Sequence, residues 1–342
     1  MSEITTHERP GVYSSYEASS LTAATSGGGA VCIVADANKN SGGPRRWTAY
    51  SRAVAEVGVC PLSELTRLAL KNGAGAVYGI PCGEDYTAAF EAAATLTDVS
   101  VVICDSTDLT VQQALRDTVQ ACSEVRKERI AVVCGDADES VDQLIARAAA
   151  LNHERVVLVA PGSGSGDGTS CAAAVAGAIA GNTDPALPLS GVMLSGLGGL
   201  NAAYEDGDID LLVRGGVTPL EMLSGNAGIV RAVTTRTTTG GAADATWREL
   251  TTILVVDEVI PGIRNALRGK FARVKNTEQN RGAIRSQVVL ELQSRVNREI
   301  IDSYEDVTVS ALETDPTVCL VEFAFTVTHG LNQIWLSAHI TV

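Results

Sequence analysis

Five continuously apolar runs, separated by stretches with helical periodicity, constrain the fold of this 342-residue chain more than any other feature. The apolar runs are Ala30–Ala35, Ala76–Ile80, Val99–Cys104, Ile130–Cys134 and Val156–Ala160. The helical stretches are Leu62–Lys71, Thr87–Leu96, Leu109–Lys127 and Ser140–Leu151. Strands that are apolar on both faces and alternate with helices are typical of a parallel sheet with helices on both sides. The sequence therefore predicts an α/β domain with a mostly parallel sheet flanked by helices.

Short strands are expected at Leu211–Val213 and Ile229–Thr234, still within the α/β part of the chain. The sequence beyond them predicts a smaller α+β domain. Two helices are then expected, Trp247–Val259, which Pro261-Gly262 should break or kink, and Ala283–Ile301. After them the apolar period becomes two, which predicts strands around Val307–Ala311, Val318–Val327 and Ile334–Val342.

These patterns divide the chain into four segments. We predict an extended N-terminal arm over residues 1–20, in which Pro10 disfavours helix. The α/β domain follows over 21–240, and the α+β domain over 241–328, with the Thr- and Gly-rich run Thr237–Ala243 at the boundary. A C-terminal arm strand occupies 329–342, and such a strand needs a partner edge in its own fold or in a neighbour.

Composition narrows the class of protein. The chain is 45% hydrophobic and 19% charged, so it can bury a core and is not a disordered chain. Its net charge of −14 argues against nucleic-acid binding, because phosphates would be repelled. One stretch is basic, comprising Arg264, Arg268, Lys270, Arg273, Lys275, Arg281 and Arg285. It is either a solvated helix face or a docking surface for an acidic partner.

The cysteines and the apolar segments bear on where the protein is made. Four of the eight cysteines, Cys32, Cys104, Cys134 and Cys319, sit inside apolar strand-like runs, and there is no CxxC pair. Buried free thiols are expected, which implies assembly in a reducing cytoplasm. We expect neither a signal peptide nor a membrane span, since no basic segment precedes an apolar one at the start and no apolar run is long enough.

The enzymatic alternative is a nucleotide-binding enzyme or an α/β hydrolase that uses the loop PGSGSGDGTS (161–170). The loop follows a strand and precedes a helix, as phosphate-binding turns do, but no GK[ST] follows and it comes after the fifth strand. The segment Gly168–Gly177 resembles the region around the nucleophilic serine of subtilisin-like proteases, which would make Ser170 a nucleophile. His153 is only 17 residues upstream, however, and no Asp-Ser/Thr-Gly motif precedes it.

Further candidate sites are weaker. Asp36, Asp105 and Asp136 follow strands at the edge where open α/β sheets bind ligands, so a small-ligand scaffold is a third alternative. Helix capping explains the same carboxylates more simply. His329 and His339 lack other ligands at metal-binding spacing. We therefore expect no catalytic, cofactor-binding or metal-binding residue.

Three segments in order resemble one family. They are ERPGVYSSYEAS (Glu8–Ser19), the stretch 176–235 with AGAIAG followed by GVTPLEMLSGNAGIVRAVTT, and the region 248–342 from RELTTILVVDEVIPGIRNALRGKF to FTVTHGLNQIWLSAHITV. Together they resemble the contractile tail sheath proteins of bacteriophages, a family also found in tail-like bacteriocins and related contractile injection systems.

The resemblance implies a mechanical and non-enzymatic function that needs no cofactor. Family members stack in sixfold, hexameric rings around an inner tail tube, and their arms add strands to sheets of neighbouring subunits. The arm strands here would be formed by Pro10, Gly11, Val12, Tyr13, Ile334, Leu336, Ala338, Ile340 and Val342. The candidates for facing the tube are Arg264, Arg268, Lys270, Arg273 and Lys275.

The implied partners are further copies of the chain, the tube protein, and the baseplate and tail terminator proteins, with neither nucleic acid nor membrane. The implied location is the virion tail. Contraction would drive the tube through the target cell envelope for genome ejection.

Overall fold

Nine strands form one large sheet within residues 28–38, 42–83, 85–164 and 168–332, the part of the chain that the computed structural model describes. The strands are β1 (Ala30–Asp36), β2 (Arg45–Trp47), β3 (Ala76–Cys82), β4 (Val99–Cys104), β5 (Ile130–Cys134), β6 (Val156–Ala160), β7 (Met193–Leu194), β8 (Val217–Leu223) and β9 (Asn226–Ile229). Their order is β2-β3-β1-β4-β5-β6-β8-β9-β7, and the six strands from β3 to β8 are parallel. The predicted mostly parallel sheet is confirmed.

Helices cover both faces of this sheet. The helices are α1 (Tyr50–Val57), α2 (Pro61–Lys71), α3 (Tyr86–Thr95), α4 (Leu109–Glu124), α5 (Val141–Leu151), α6 (Thr169–Gly181), α7 (Asp206–Arg214), α8 (Leu250–Phe271) and α9 (Glu278–Asn297). One core lies under α1, α2 and α6, and the other under α3, α4, α5 and α7. In β1, Val31 and Ile33 enter the first core, whereas Cys32 and Val34 enter the second. Burial on both faces is why the strands are continuously apolar.

The remaining strands belong to two small sheets. A hairpin of β10 (Thr238–Thr239) and β11 (Ala242–Ala243) contains the boundary expected at 240/241. After α9 the chain forms β12 (Ile301–Leu312) and β13 (Asp315–Val327). Helices α8 and α9 and these two strands enclose a third core. The α+β character of this C-terminal region agrees with the sequence.

Two sequence-based assignments are wrong in the middle of the chain. Leu211–Val213 lies in α7, because a reciprocal capping arrangement at Glu205 starts a helix that buries Leu212 and Val213. A short apolar run does not distinguish a strand from a helix by period alone. Of the strand expected at Ile229–Thr234, only Ile229 lies in a named strand, at the end of β9.

Helix α8 also differs from its prediction, because it continues through Pro261 to Phe271 instead of ending there. The helix buries side chains in the first core near its start and in the third core further on, which outweighs the local cost of proline. Gly262 leaves room for the guanidinium of Arg295, whose Nη2 would lie 1.7 Å from a Cβ at that position. Helix α9 is shifted towards the N-terminus relative to the prediction of 283–301. It begins at Glu278 and ends at Asn297.

Candidate assembly surfaces

Strands β12 and β13 form an antiparallel sheet with one covered face. Tyr304 lies opposite Phe325, and Ser310 opposite Leu320. The side chains of β13 that pack on the third core are Val321, Phe323, Phe325 and Val327. Between them, Glu322, Ala324 and Thr326 are exposed. The alternation is that of a sheet with one face on a core and one face open.

The edges of this sheet are open within the described part of the chain. There, β12 and β13 pair as strands only with each other, so each has one edge that pairs with no further strand. Two side chains also bond to their backbone: Asn276 Nδ2 donates to Pro316 O and Val318 O, and Arg285 Nε donates to Val307 O. A two-stranded sheet is marginal by itself, and an open edge is a template for another strand. The arrangement can accept an added strand on either side.

The candidate arm residues, Pro10–Tyr13 and Ile334–Val342, lie outside the described residues. The last described residues leave β13 along a defined path. Thr328 N donates to Ile300 O at 3.4 Å, and Gly330 packs so closely on Pro188 that a Cβ would lie 2.7 Å from its Cγ. Asn332 lines a small cavity next to the 188–190 segment and the start of α8. The segment that leads into residues 333–342 is thus packed against the body of the subunit.

Four of the five candidate tube-facing residues are exposed and lie close together in sequence, at the end of α8 and in the connection to α9. We call these residues the basic turn; they are Arg268, Lys270, Arg273 and Lys275. Lys270 Nζ donates to Gln287 Oε1 at 2.6 Å. The positive charge therefore projects from the C-terminal region at one end of α8.

Arg264 does not belong to the basic turn. It is buried, and its Nη1 lies 3.5 Å from Glu128 Oε1. Arg264 and Arg268 lie one turn apart on the same face of α8. Arg264 is nevertheless buried, because Glu128, which precedes β5, covers it, whereas Arg268 is exposed. In the folded subunit, Arg264 is therefore too buried to face the tube.

A buried ionic cluster joins α8 to the large sheet, and sequence reasoning missed it. Arg155 donates from Nη1 and Nη2 to the two carboxylate oxygens of Asp257, both at 2.8 Å, while Glu128 faces Arg264. A signal was present in the sequence, since Glu-Arg directly precedes two apolar strands, as Glu128-Arg129 and as Glu154-Arg155. Charged pairs at the start of continuously buried strands are unusual unless each charge has a partner.

The protease alternative fails on topology. His153 precedes β6 and Ser170 follows it in the first turn of α6, so the two residues lie towards opposite ends of β6, which spans about 16 Å at the usual strand rise. His153 Nδ1 accepts a hydrogen bond from Arg155 N at 3.0 Å and lies 3.8 Å from Glu154 Oε2. The geometry does not make His153 a base for Ser170.

The Gly/Ser loop is only partly described, since 165–167 lie outside the described residues. Its glycine before α6 has a packing role, because a Cβ on Gly168 would lie 2.5 Å from Cys134 Cβ. Ser163 forms an isolated bridge with Leu200. Packing accounts for Gly168, and a left-handed backbone conformation with φ of 65° accounts for Gly164.

The aspartates at the carboxyl edge of the sheet are engaged within the protein. Asp105 accepts hydrogen bonds from Tyr86 Oη and from Asp36 N, both at 2.7 Å, and burial raises the pKa of Asp105. Asp136 Oδ1 instead accepts from Ala137 N at 2.7 Å. The structure thus brings Asp36 and Asp105 together in a structural role, and Asp136 caps its own turn. None of the three is the N-cap of a following helix, so the helix-capping explanation is wrong.

The remaining candidates behave as small or solvated side chains. Cys32, Cys104 and Cys134 are buried, Cys319 is half-buried, and burial raises the pKa of Cys32 and Cys104 to about 12, which disfavours the thiolate. His329 is exposed, and His339 lies outside the described residues. Among the described residues no cluster of His, Cys, Asp and Glu could hold a metal ion. In that same part of the chain, none of the helices combines the length and the apolarity needed to cross a membrane.

Comparison with family models and with a curated protein gives consistent matches. The model of the phage tail sheath protein central domain matches residues 81–235, and the model of the phage tail sheath C-terminal domain matches residues 242–341. The tail sheath protein of Bacillus phage SP01 is 27% identical over 253 residues, which are 71% of this chain. The chain spans 43% of the length of that relative.

Solved structures share the fold. A chain in the baseplate of the anti-feeding prophage superposes with a TM-score of 0.73 at 16% identity, covering 98% of this chain and 100% of that one. The sheath tail protein of Desulfitobacterium hafniense gives 0.69 at 12% identity, with 93% and 100% covered. The helical sheath of the anti-feeding prophage in its contracted state gives 0.71 at 16% identity, with 98% and 99% covered. With two consecutive domain models matched in the expected order, the chain belongs to the phage tail sheath protein family.

Proposed function

We propose that this chain is the structural subunit of a contractile tail sheath, which polymerises around an inner tube and contracts to drive that tube through a cell envelope. The observation that supports the proposal is the sheet of β12 and β13, whose outer edges pair with no strand among the described residues and can accept one. Family membership supplies the context, because a sheath protein must bind further copies of itself. The function is mechanical and requires no catalytic residue or cofactor.

The arms are proposed to supply the missing strands. Residues 1–20 and 329–342 would each add to the β12–β13 sheet of another subunit, with the 21–240 and 241–328 segments as the compact domains between them. Contacts that link each copy to the next in this head-to-tail way form a ring where the rotation closes and a helical filament where it does not. Stacked sixfold rings, and docking to baseplate and terminator proteins in the virion tail, are part of the same proposal.

Removing either arm tests this proposal. Chains lacking residues 1–18 or 331–342 should remain folded, with circular dichroism like that of the full chain, because both cores of the large sheet lie between the arms. They should fail to sediment as polymers and should show no tubes by negative-stain electron microscopy. Full-length protein that sediments no better than the truncated chains would refute strand exchange.

The basic turn is proposed to face the tube. Its four cations lie on a chain of net charge −14, so a surface of opposite sign on a partner would be attracted to it selectively. The double variant Arg268→Glu, Arg273→Glu should lose co-sedimentation with tube protein at low salt. Arg214→Glu, which changes an exposed arginine of α7, is the matched control and should retain it. Equal loss in both would remove the basic turn from the contact.

A further inference from the structure

The ionic cluster under α8 is unequally paired. It lies where the amino ends of β5 and β6 meet α8, and its side chains are almost completely excluded from solvent: Glu128 and Arg155 are 0% exposed, Asp257 3% and Arg264 8%. Arg155 forms two short hydrogen bonds to Asp257. Glu128 has the weaker contact, with Arg264 Nη1 at 3.5 Å from its Oε1.

The second carboxylate oxygen of Glu128 is paired even less well than the first. Glu128 Oε2 is buried and has no hydrogen-bond partner among the described residues. A buried carboxylate is costly when its charge is not fully compensated, and the usual response is to bind a proton. Burial raises the pKa of Glu128 to about 8, and the negative charge of Asp257 adds to the effect.

The charged groups around Glu128 do not reverse this conclusion. From α8 it is faced by Asp257 and Arg264, and from the start of β6 by Arg155; the two arginines favour its ionised form. Arg155 is already committed to Asp257 through two hydrogen bonds. The neighbouring Arg129 directs its guanidinium to the carbonyl oxygens of Lys127, Ala93 and Leu96.

We propose that Glu128 is a proton-binding site in the interface between α8 and the large sheet, which keeps a proton in the folded subunit at neutral pH and releases it as the pH rises. Release places an undercompensated negative charge between the C-terminal region and the sheet. A rise in pH therefore weakens the packing of α8 on the sheet. The stability of the contact between the C-terminal region and the large sheet depends on pH through this one carboxyl group.

The sign of the effect follows from proton linkage. The unfolded chain has an ordinary glutamate that is ionised well below neutral pH, whereas the folded chain still holds the proton. The folded state binds the extra proton, so its stability is greatest at low pH and falls as the pH rises towards the folded-state pKa. For one proton the loss is about tenfold in the folding equilibrium constant per pH unit in that window.

The test compares the pH dependence of unfolding for the unmodified protein and Glu128→Gln between pH 6.5 and 9.5. Glutamine mimics the protonated carboxyl, so the variant should fold at neutral pH with little loss. The ratio of its folding equilibrium constant to that of the unmodified protein should rise about tenfold per pH unit below pH 8 and then level off. Comparing the two proteins cancels titration of the buried thiols, which both retain.

Glu154→Gln is the matched control, a neighbouring buried carboxyl that has a close partner. Burial opposes its ionisation, but the charges of His153 and Arg236 hold the pKa of Glu154 below its usual value. This variant should lose stability by a factor that does not change from pH 6.5 to 9.5. A Glu128→Gln ratio that is likewise constant across the range would overturn the proposal.

If Glu128→Gln does not fold, the number of protons released on unfolding of the unmodified protein tests the proposal instead. Urea unfolding of the unmodified protein at pH 7, in weak buffer with an indicator dye, should release protons, since the folded state holds more of them. No net release at pH 7 would refute a protonated Glu128. Neither measurement involves polymerisation, so the result is independent of the function proposed above.

Discussion

The large sheet and the β12–β13 sheet differ in how far their strands are buried and paired. Every residue of β5 is buried, and the strand is hydrogen-bonded on both sides. Not one residue of β13 is fully buried, and within the described part of the chain it is paired on one side only. Central strands of the large sheet such as β5 satisfy their backbone groups on both sides, whereas β12 and β13 each have a side that pairs with no strand among the described residues.

The largest effect is expected at the Arg155–Asp257 ion pair, which joins the large sheet to α8. Asp257→Ala should destabilise the subunit by about 3–5 kcal/mol, because it leaves the buried charge of Arg155 without its carboxylate. Urea unfolding measures the loss. Asp210→Ala, which removes an exposed ion pair of α7, should cost at most about 0.5 kcal/mol. Similar losses in both would mean that the buried cluster does not hold the regions together.

The same truncation in the two sheets should have different consequences. Leu158→Ala in β6 should cost about 2–5 kcal/mol, since Leu158 is 0% exposed and a cavity remains. Leu320→Ala in β13 should cost less than about 1 kcal/mol in the isolated subunit, because that half-buried site is already open to water. Thermal unfolding of both variants gives the comparison. Equal losses would show that the β12–β13 sheet is as self-sufficient as the large one.

The smallest effect on the isolated subunit is expected at the exposed surface of β13. Val318 is 37% exposed, so Val318→Glu should change monomer stability by no more than about 0.5 kcal/mol. If arriving strands cover this surface, the same variant should sediment poorly as polymer, because a carboxylate would then be buried. A variant that polymerises like the unmodified chain would restrict the covered surface to other parts of the sheet.

Five strands of the α/β part, β1, β3, β4, β5 and β6, could be predicted from sequence because each of them is continuously apolar. The helices between them begin at clear caps, as where the Asp108 carboxylate accepts from Thr110 N. The predicted and observed starts of α2, α3, α4 and α5 differ by one residue at most. Local chemistry therefore determines these elements.

Other features depended on distant parts of the chain and could not be predicted. Pro261 predicts a break, but the burial of α8 in two cores maintains the helix. Arg264 looks like its exposed neighbours until Glu128, far away in sequence, is placed opposite it. The open edges of β12 and β13 are likewise a property of topology, which a pattern of alternating residues does not contain.

Helix α8 has 22 residues and is about 33 Å long at the usual helical rise. Near its start, Leu250 and Ile253 pack in the first core with the large sheet, and its later turns pack in the third core with α9. The helix is therefore held by packing at both ends. It thus couples the large sheet to the C-terminal region, and a displacement at the basic turn would be passed along α8 to the sheet.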